Sequence, residues 1–213
     1  MPTAMIALGG NSISQKGEAG EISLQFTHTR QALEGISHFI SRDYNLCINH
    51  GNGPQVGNEL YRMELTQNKI PSLPLGVCVA ATQGTIGYMI QQSLQNKLRN
   101  MKIDREVVTL VSQVIVNSND HQISNPQKFI GPTYIKEKAK DLANKFNWHI
   151  KEQNKGDWRR VVPSPMPEYI MHGKSIKALV DRGTIVISSG GGGIPVFNNT
   201  NGQLEGLDAV IDK

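Results

Sequence analysis

Apolar residues in this chain come in short runs that stop at glycine. Met5-Ile6-Ala7-Leu8 runs into Gly9-Gly10-Asn11, and Leu46-Cys47-Ile48-Asn49 into His50-Gly51-Asn52-Gly53. Further on, Ile185-Val186-Ile187 runs into Ser188-Ser189 and then Gly190, Gly191, Gly192 and Gly193. Unbroken apolar runs bounded by turn residues predict strands buried on both faces, as in a parallel sheet. Residues 3–8 are expected as one buried strand and 44–49 as the next. Between them Leu24, Phe26, Leu33, Ile36, Phe39 and Ile40 approximate helical spacing, which predicts a helix over 24–41. Strand, helix and strand make a βαβ unit, with a right-handed crossover and a parallel pair.

The pattern continues in the same style. Pro54 suits the first turn of a helix over 55–67, and Pro71 and Pro74 end it. A longer helix is expected over 75–98, where Gly84 and Gly87 mark either close approach of another backbone or a bend. Residues 106–115, rich in Val and Thr, predict a third central strand. Residues 117–167 turn polar and carry Pro132, Pro163, Pro165 and Pro167, which suggests an inserted subdomain standing off the main sheet. Within it a helix is expected over 135–146, and 148–151 could pair with 159–162. A helix over 174–182 stops at Gly183, a normal residue just past a helix end. A core strand over 184–188 and a hairpin-like excursion around Asn201-Gly202 follow.

Composition narrows the class. The 213 residues suffice for one good core with a subdomain, and 38% hydrophobic with 19% charged content suits a soluble globular protein. Glycine, at 21 residues, exceeds its usual share of about 7%, and much of the excess sits in the three breaks. The net charge is only +4, with basic residues scattered and Arg159-Arg160 the only Arg pair. That argues against nucleic acid and fits an anionic small substrate. Cys47 and Cys78 lie in apolar stretches without metal-ligand spacing, as buried thiols in a reducing cytoplasm would. No apolar run approaches the roughly 18 residues of a membrane helix, and the chain opens directly into a strand, so a cytoplasmic location is expected.

In an open parallel sheet the strand C-termini share one edge, and ligands bind in the crevice there. Glycine loops leave main-chain amides bare, and such amides bind oxyanions. The expected guest is a phosphoryl group or its acceptor. GxxxxGK[ST] is absent, and Gly51-Asn52-Gly53-Pro54-Gln55-Val56-Gly57 has the wrong spacing for a dinucleotide loop. Phosphoryl transfer needs positive charge on the moving group. Lys128, read as part of a rigid loop over 125–132, is a candidate; Lys213, after an apolar run and an aspartate, means little from spacing alone. Asp208 and Asp212, four apart, read as helix-surface charge, and Tyr88 and Trp158 as packing residues.

The ordered set of motifs resembles the carbamate kinases of the amino-acid kinase superfamily. It comprises Ala7-Leu8-Gly9-Gly10-Asn11, His50-Gly51-Asn52-Gly53-Pro54-Gln55-Val56-Gly57, Thr82-Gln83-Gly84-Thr85-Ile86-Gly87-Tyr88, Ile130-Gly131-Pro132-Thr133-Tyr134 and Arg159-Arg160-Val161-Val162-Pro163-Ser164-Pro165. Gly190-Gly191-Gly192-Gly193-Ile194-Pro195-Val196 and Ala209-Val210-Ile211-Asp212-Lys213 complete it. The resemblance implies an α/β fold: a three-layer αβα sandwich with a mainly parallel sheet, plus a protruding α+β subdomain at about 117–167. It implies reversible phosphoryl transfer between ATP and carbamate, giving ADP and carbamoyl phosphate, with Mg²⁺ and with no metal ligands assigned in this chain. It also implies a cytoplasmic homodimer in arginine metabolism, acting on small molecules without nucleic acid or membrane.

Carried over, Gly9, Gly10 and Asn11 would bind the transferred phosphoryl group, and Gly51, Asn52 and Gly53 the carbamoyl end. Lys128 would reach the phosphate from the subdomain, and Lys213 would neutralise developing charge. Gly190, Gly191, Gly192 and Gly193 would seat the nucleotide phosphates or close the pocket. Carbamate is already an anion, so a loop-bracing hydrogen bond is favoured for His50 over general-base duty. Carbamate kinases run on beyond this last motif. The expectation is therefore a carbamate- and phosphate-binding lobe over 1–213 without the nucleotide lobe, with little or no kinase activity by itself. An acetylglutamate-type kinase, or a non-catalytic anion-binding module, are the alternatives.

Overall fold

The runs that end at glycine lie side by side in one parallel sheet. In this computed structural model, which describes residues 1–15, 18 and 20–211, the chain opens with β1 (Thr3–Leu8), a single turn α1 (Gly10–Ile13), α2 (Ile22–Ala32), α3 (Ile36–Ile40) and β2 (Asn45–His50). Next come α4 (Gly53–Thr66), the long α5 (Leu75–Asn100), β3 (Val107–Thr109), β4 (Gln113–Val116) and the short α6 (His121–Ser124). β5 (Lys128–Tyr134), α7 (Lys136–Phe146), β6 (His149–Asn154), β7 (Asp157–Val162) and β8 (Pro167–Ile170) follow. The last elements are α8 (Gly173–Asp181), β9 (Ile185–Ile187), a 3₁₀ turn at Gly190–Gly192, β10 (Ile194–Asn198) and β11 (Leu204–Gly206).

The main sheet has the order β1-β2-β9-β3, with every pair parallel. Side chains alternate across its plane. Leu46, Ile48, Val107, Ile185 and Ile187 enter one core with Ile86, Ile90 and Leu94 of α5 and Ile36 and Ile40 of α3. Val186 faces the other way, with Cys47 and Val108, onto Ile176 and Val180 of α8. Helices therefore cover both faces, which is the αβα sandwich. The α5 helix buries Cys78, Val79, Thr82, Gln83, Ile86, Ile90, Leu94 and Leu98, one stripe at helical spacing.

Four expectations need correction. Strand β1 is an edge strand, with Thr3, Met5 and Ala7 exposed, rather than buried on both faces. The helix predicted over 24–41 breaks at Leu33-Glu34-Gly35, where Glu34 N donates to Gln31 O and Ile36 N to Leu33 O, the tighter bonds of a turn. Leu33 and Ile36 stay buried on either side, so the apolar spacing survives a break that it cannot reveal. Residues 106–115 form two strands in different sheets. β3 pairs with β9, whereas β4 joins β10 and β8 in a second sheet, β11-β10-β4-β8. Cys47 is only half-buried, while Cys78 is fully enclosed.

The third sheet, β5-β7-β6, is antiparallel, with His149–Lys151 paired to Arg159–Val161. It carries α7 and docks on α4. Ile130 of β5 and Val162 of β7 join Val56 and Leu60 of α4 and Val79 of α5 in a common core. At the contact two backbones touch. A Cβ on Gly57 would stand 2.6 Å from the Gly131 Cα, and Gly131 itself has φ +72°. Arg159 Nη2 donates to Gly131 O at 2.7 Å and fixes that turn.

Candidate active site

Because β1, β2 and β9 are parallel neighbours, their three glycine loops leave the sheet on one edge. Gly51 N donates to Leu8 O at 2.8 Å, which ties the second loop to the first. A Cβ on Gly10 would meet Pro54 Cδ at 3.2 Å. A Cβ on Gly190 would strike the His50 ring, and one on Gly191 the Asn52 carboxamide. Gly191 has φ +63°, a conformation that L side chains rarely adopt. Glycine is thus required here by contact between loops.

Gly9, Gly10, Asn11, Gly51, Asn52 and Gly53 all line one cleft of about 250 Å³. Lys128, Phe129, Ile130 and Gly191 complete it with Val210 and Ile211. Helix α4 starts at Gly53 with Pro54 in its first turn, so its amino end, with its partial positive charge, opens on the cleft. Asn52 turns its side chain inward, and Nδ2 donates to Thr82 Oγ1 at 3.0 Å. His50, 1% exposed, donates from Nδ1 to Gly51 O at 3.0 Å, a bracing bond within the loop.

Lys128 is not in a loop. It is the first residue of β5, in register with Val162, and shares a strand face with buried Ile130. The strand, and through Gly131 the α4 backbone, set its position. The glycine quartet is divided. Only Gly191 lines the cleft; Gly192 packs on Ile211, and Gly193 on Val114, to which a Cβ would come within 2.5 Å. Lys213 and Asp212 lie outside the described residues. Asp208 is not on a helix. Its carboxylate accepts a hydrogen bond from Leu75 N at 2.9 Å and caps the amino end of α5 from far along the chain. Tyr88 is 58% exposed, with its ring edge-on to Phe26.

Among the described residues no three His, Cys, Asp or Glu side chains gather into a metal site, and none of those lining the cleft is a carboxylate. A separate cleft of about 370 Å³, away from the glycine loops, is lined by Glu64, Trp148, Arg160 and Asp208. There burial pushes the Glu64 carboxyl up to about 7 against the opposing pull of Arg160.

Sequence reasoning assigned no role to Thr82, Gln83 or Ser112, although all three are buried and hydrogen-bonded to the loops or to the strand break. A signal existed for two of them. Thr82 and Gln83 are polar residues on the buried stripe of α5.

No family model matches the chain. Among curated proteins, the carbamate kinase of Pyrococcus furiosus is 46% identical over 98% of this chain and 67% of its own length. That of Thermococcus kodakarensis is 46% identical over 100% of this chain and 68% of its own. The chain belongs to the carbamate kinase family. Solved structures agree. Carbamate kinase from Giardia lamblia bound to citric acid superposes with a TM-score of 0.93 at 37% identity, covering 100% of this chain and 68% of that one. The same protein bound to AMP-PNP gives 0.88 at 37% identity, covering 100% and 67%. The carbamate kinase fold is therefore that of this chain, as is the enzyme class, an ATP-dependent phosphotransferase.

Proposed function

We propose that the 250 Å³ cleft holds carbamate and the group it receives, in the reversible reaction of ATP and carbamate to ADP and carbamoyl phosphate. The observation that carries this is the convergence of the loops after β1 and β2, Gly191 and Lys128 on one small cavity. In the forward direction a carbamate oxygen attacks the γ-phosphorus. The new P–O bond forms as the bond to the β,γ-bridging oxygen breaks, and the electron pair leaves with ADP. Carbamate arrives as an anion, so no base is required, and His50 serves the loop instead. The amides of Gly9, Gly10 and Asn11 would face the moving phosphoryl group, and Gly51, Asn52 and Gly53 the carbamoyl end. The Lys128 ammonium would offset charge on the phosphoryl oxygens, as preorganised positive groups do in such transfers. Lys213 is proposed for the bridging oxygen.

ATP or ADP is the partner nucleotide in this reading. Mg²⁺, which offsets phosphate charge, would enter on the nucleotide. Residues 1–213 would form the carbamate- and phosphate-binding lobe, with the subdomain at about 117–167 bringing Lys128. Of the glycine quartet, Gly191 would contact the phosphates while its neighbours fix the loop. A homodimer joined through this lobe and a cytoplasmic place in arginine metabolism are proposed from the family resemblance. Val77 and Tyr88, exposed on α5, are available to such an interface. Among the described residues no helix is long and apolar enough to cross a membrane.

Titration of ¹⁵N-labelled protein with carbamoyl phosphate tests the site directly. The amides of Gly9, Gly10, Gly53 and Gly191 are expected to shift together, and Lys128→Ala to weaken binding ten- to a hundredfold, the worth of a hydrogen bond to a charged group. Shifts confined to the cleft around Glu64 and Arg160, with the glycine amides unmoved, would overturn the assignment.

A further inference from the structure

Gln83 sits in the middle of α5, 1% exposed. Its carboxamide bonds backbone groups of two other segments. Nε2 donates to Gly190 O at 2.9 Å and to Ser112 O at 3.1 Å, and Oε1 accepts from Ser112 N at 2.8 Å. Ser112 lies at the break between β3 and β4, where the chain leaves one sheet for another. Its hydroxyl donates to Leu110 O at 3.0 Å and accepts from Ser189 N at 3.2 Å. Ser189 is held at φ +53°, uncommon for a residue with a side chain. A Cβ on Gly190 would meet both the His50 ring and Gln83 Cγ.

A primary amide offers two donors and one acceptor in a plane and can stand in for a peptide. At Ser112 it does so, pairing with both the N–H and the C=O of one residue as a neighbouring strand would. Its second N–H then reaches the Gly190 carbonyl, which also accepts from Gly193 N at 3.1 Å within the 3₁₀ turn, so that Gln83 is the tie from outside the loop. Gly190 immediately precedes Gly191, the quartet residue that lines the cleft. Turning the Gly190–Gly191 peptide moves its carbonyl and the Gly191 amide together, because the peptide unit is planar.

We propose that Gln83 is a positioning residue for phosphoryl transfer: by holding the Gly190 carbonyl it fixes the direction in which the Gly191 amide meets the cleft. This rests on the assignment of the cleft as the carbamoyl phosphate site. An aliphatic group of the same length would leave these bonds to Ser112 N, Ser112 O and Gly190 O unmade, so the carboxamide serves stability as well as the placement of the Gly190 carbonyl.

The test compares Gln83→Glu with Gln83→Met in ¹⁵N-labelled protein, titrated with carbamoyl phosphate at pH 8 and pH 6, with thermal melts alongside. Glutamate keeps the shape and the acceptor for Ser112 N. When ionised it has no donor for Gly190 O or for Ser112 O; when protonated it regains one donor, which the Gly190 carbonyl can take, and burial raises the pH at which that happens. Relative to the unaltered protein at each pH, Gln83→Glu should bind about tenfold more weakly at pH 8 with its Gly191 amide displaced, and should recover at pH 6. Gln83→Met should remain weak at both. If Met at this position prevents folding, the two pH values of Gln83→Glu give the comparison within one folded protein. If the glycine amides of the unaltered protein ignore carbamoyl phosphate, the cleft assignment fails. If they respond, and Gln83→Glu binds with undiminished affinity at pH 8 whatever its melting temperature, the positioning role fails.

Discussion

Gly57→Ala separates the stability of this fold from the placement of its lysine. The added methyl would lie 2.6 Å from Gly131 Cα and 2.9 Å from Gly131 N. Both are backbone atoms, so no rotamer change relieves the contact, and β5 must retreat from α4 by about 1 Å to restore ordinary packing. Overpacking of this kind costs about 1–3 kcal/mol. Alanine gains about 1 kcal/mol over glycine in a helix interior. The net loss is therefore small, about 0–2 kcal/mol. Lys128 lies three residues before Gly131 on the same strand and moves with it. A charge-assisted hydrogen bond to phosphate is worth about 1.5–3 kcal/mol and depends on its length, so carbamoyl phosphate should bind about ten- to a hundredfold more weakly. Urea denaturation gives the stability and isothermal titration the affinity. Unchanged affinity in a Gly57→Ala protein that unfolds at lower urea would refute the idea that the α4–β5 contact positions Lys128.

The glycine pair on α5 should behave in opposite ways. Nothing lies within 4 Å of a Cβ on Gly84, so Gly84→Ala should stabilise by up to about 1 kcal/mol; on Gly87 the methyl meets the Thr109 side chain, and Gly87→Ala should destabilise by up to about 2 kcal/mol net. Similar effects from the two in urea melts would contradict the packing described. Burial holds the Glu64 carboxyl at about 7 in the folded protein, above its ordinary 4.5, so the folded state binds the proton more tightly. Stability from this group is complete below about pH 4.5 and is lost as pH rises through about 7. Discounted for the half-exposed setting, the change is about 1 kcal/mol, and Glu64→Gln should flatten that part of the pH–stability curve; an identical slope in both proteins would be inconsistent with it. Asp208→Ala removes the acceptor of Leu75 N and should cost about 0.5–2 kcal/mol in a thermal or urea melt, whereas a change within error would mean the helix end is satisfied without it.

What could be read in advance follows from what periodicity encodes. Apolar spacing reports burial on one or two faces: the run at 185–187 is buried throughout, and that at 46–48 is buried except for the half-buried Cys47. The glycine breaks could be read for the same reason, since a strand that ends at bare backbone must turn. The pairing of 148–151 with 159–162 was visible because a hairpin is local. The split at Leu110–Ser112 was not, because Val107 and Val114 are both buried and the pattern does not say against which sheet. Lys128 was misread as loop because Pro126 and Pro132 flank it, yet β5 carries Pro132 within the strand, at its irregular stretch before Tyr134. The role of Asp208 was hidden by distance, since its partner stands 133 residues away.

Five residues lining this cleft, Gly9, Gly10, Gly51, Gly53 and Gly191, have no side chain, so glycine spacing marks it in the sequence. Where a site is built from side chains, a substitution alters one contact. Here a Cβ at Gly10, Gly57, Gly190 or Gly191 would push one backbone segment off its neighbour. Helix α4 connects these contacts: its first residue lines the cleft, Gly57 meets the strand that carries Lys128, and Val56 and Leu60 hold it in the core. The position of the β5-β7-β6 sheet and that of the lysine are thereby set together, at a glycine–glycine contact. Gln83 imposes the same kind of constraint on the opposite loop with hydrogen bonds in place of packing. The two devices act on two sides of the same cavity, one on the strand that carries Lys128 and one on the loop that carries Gly191.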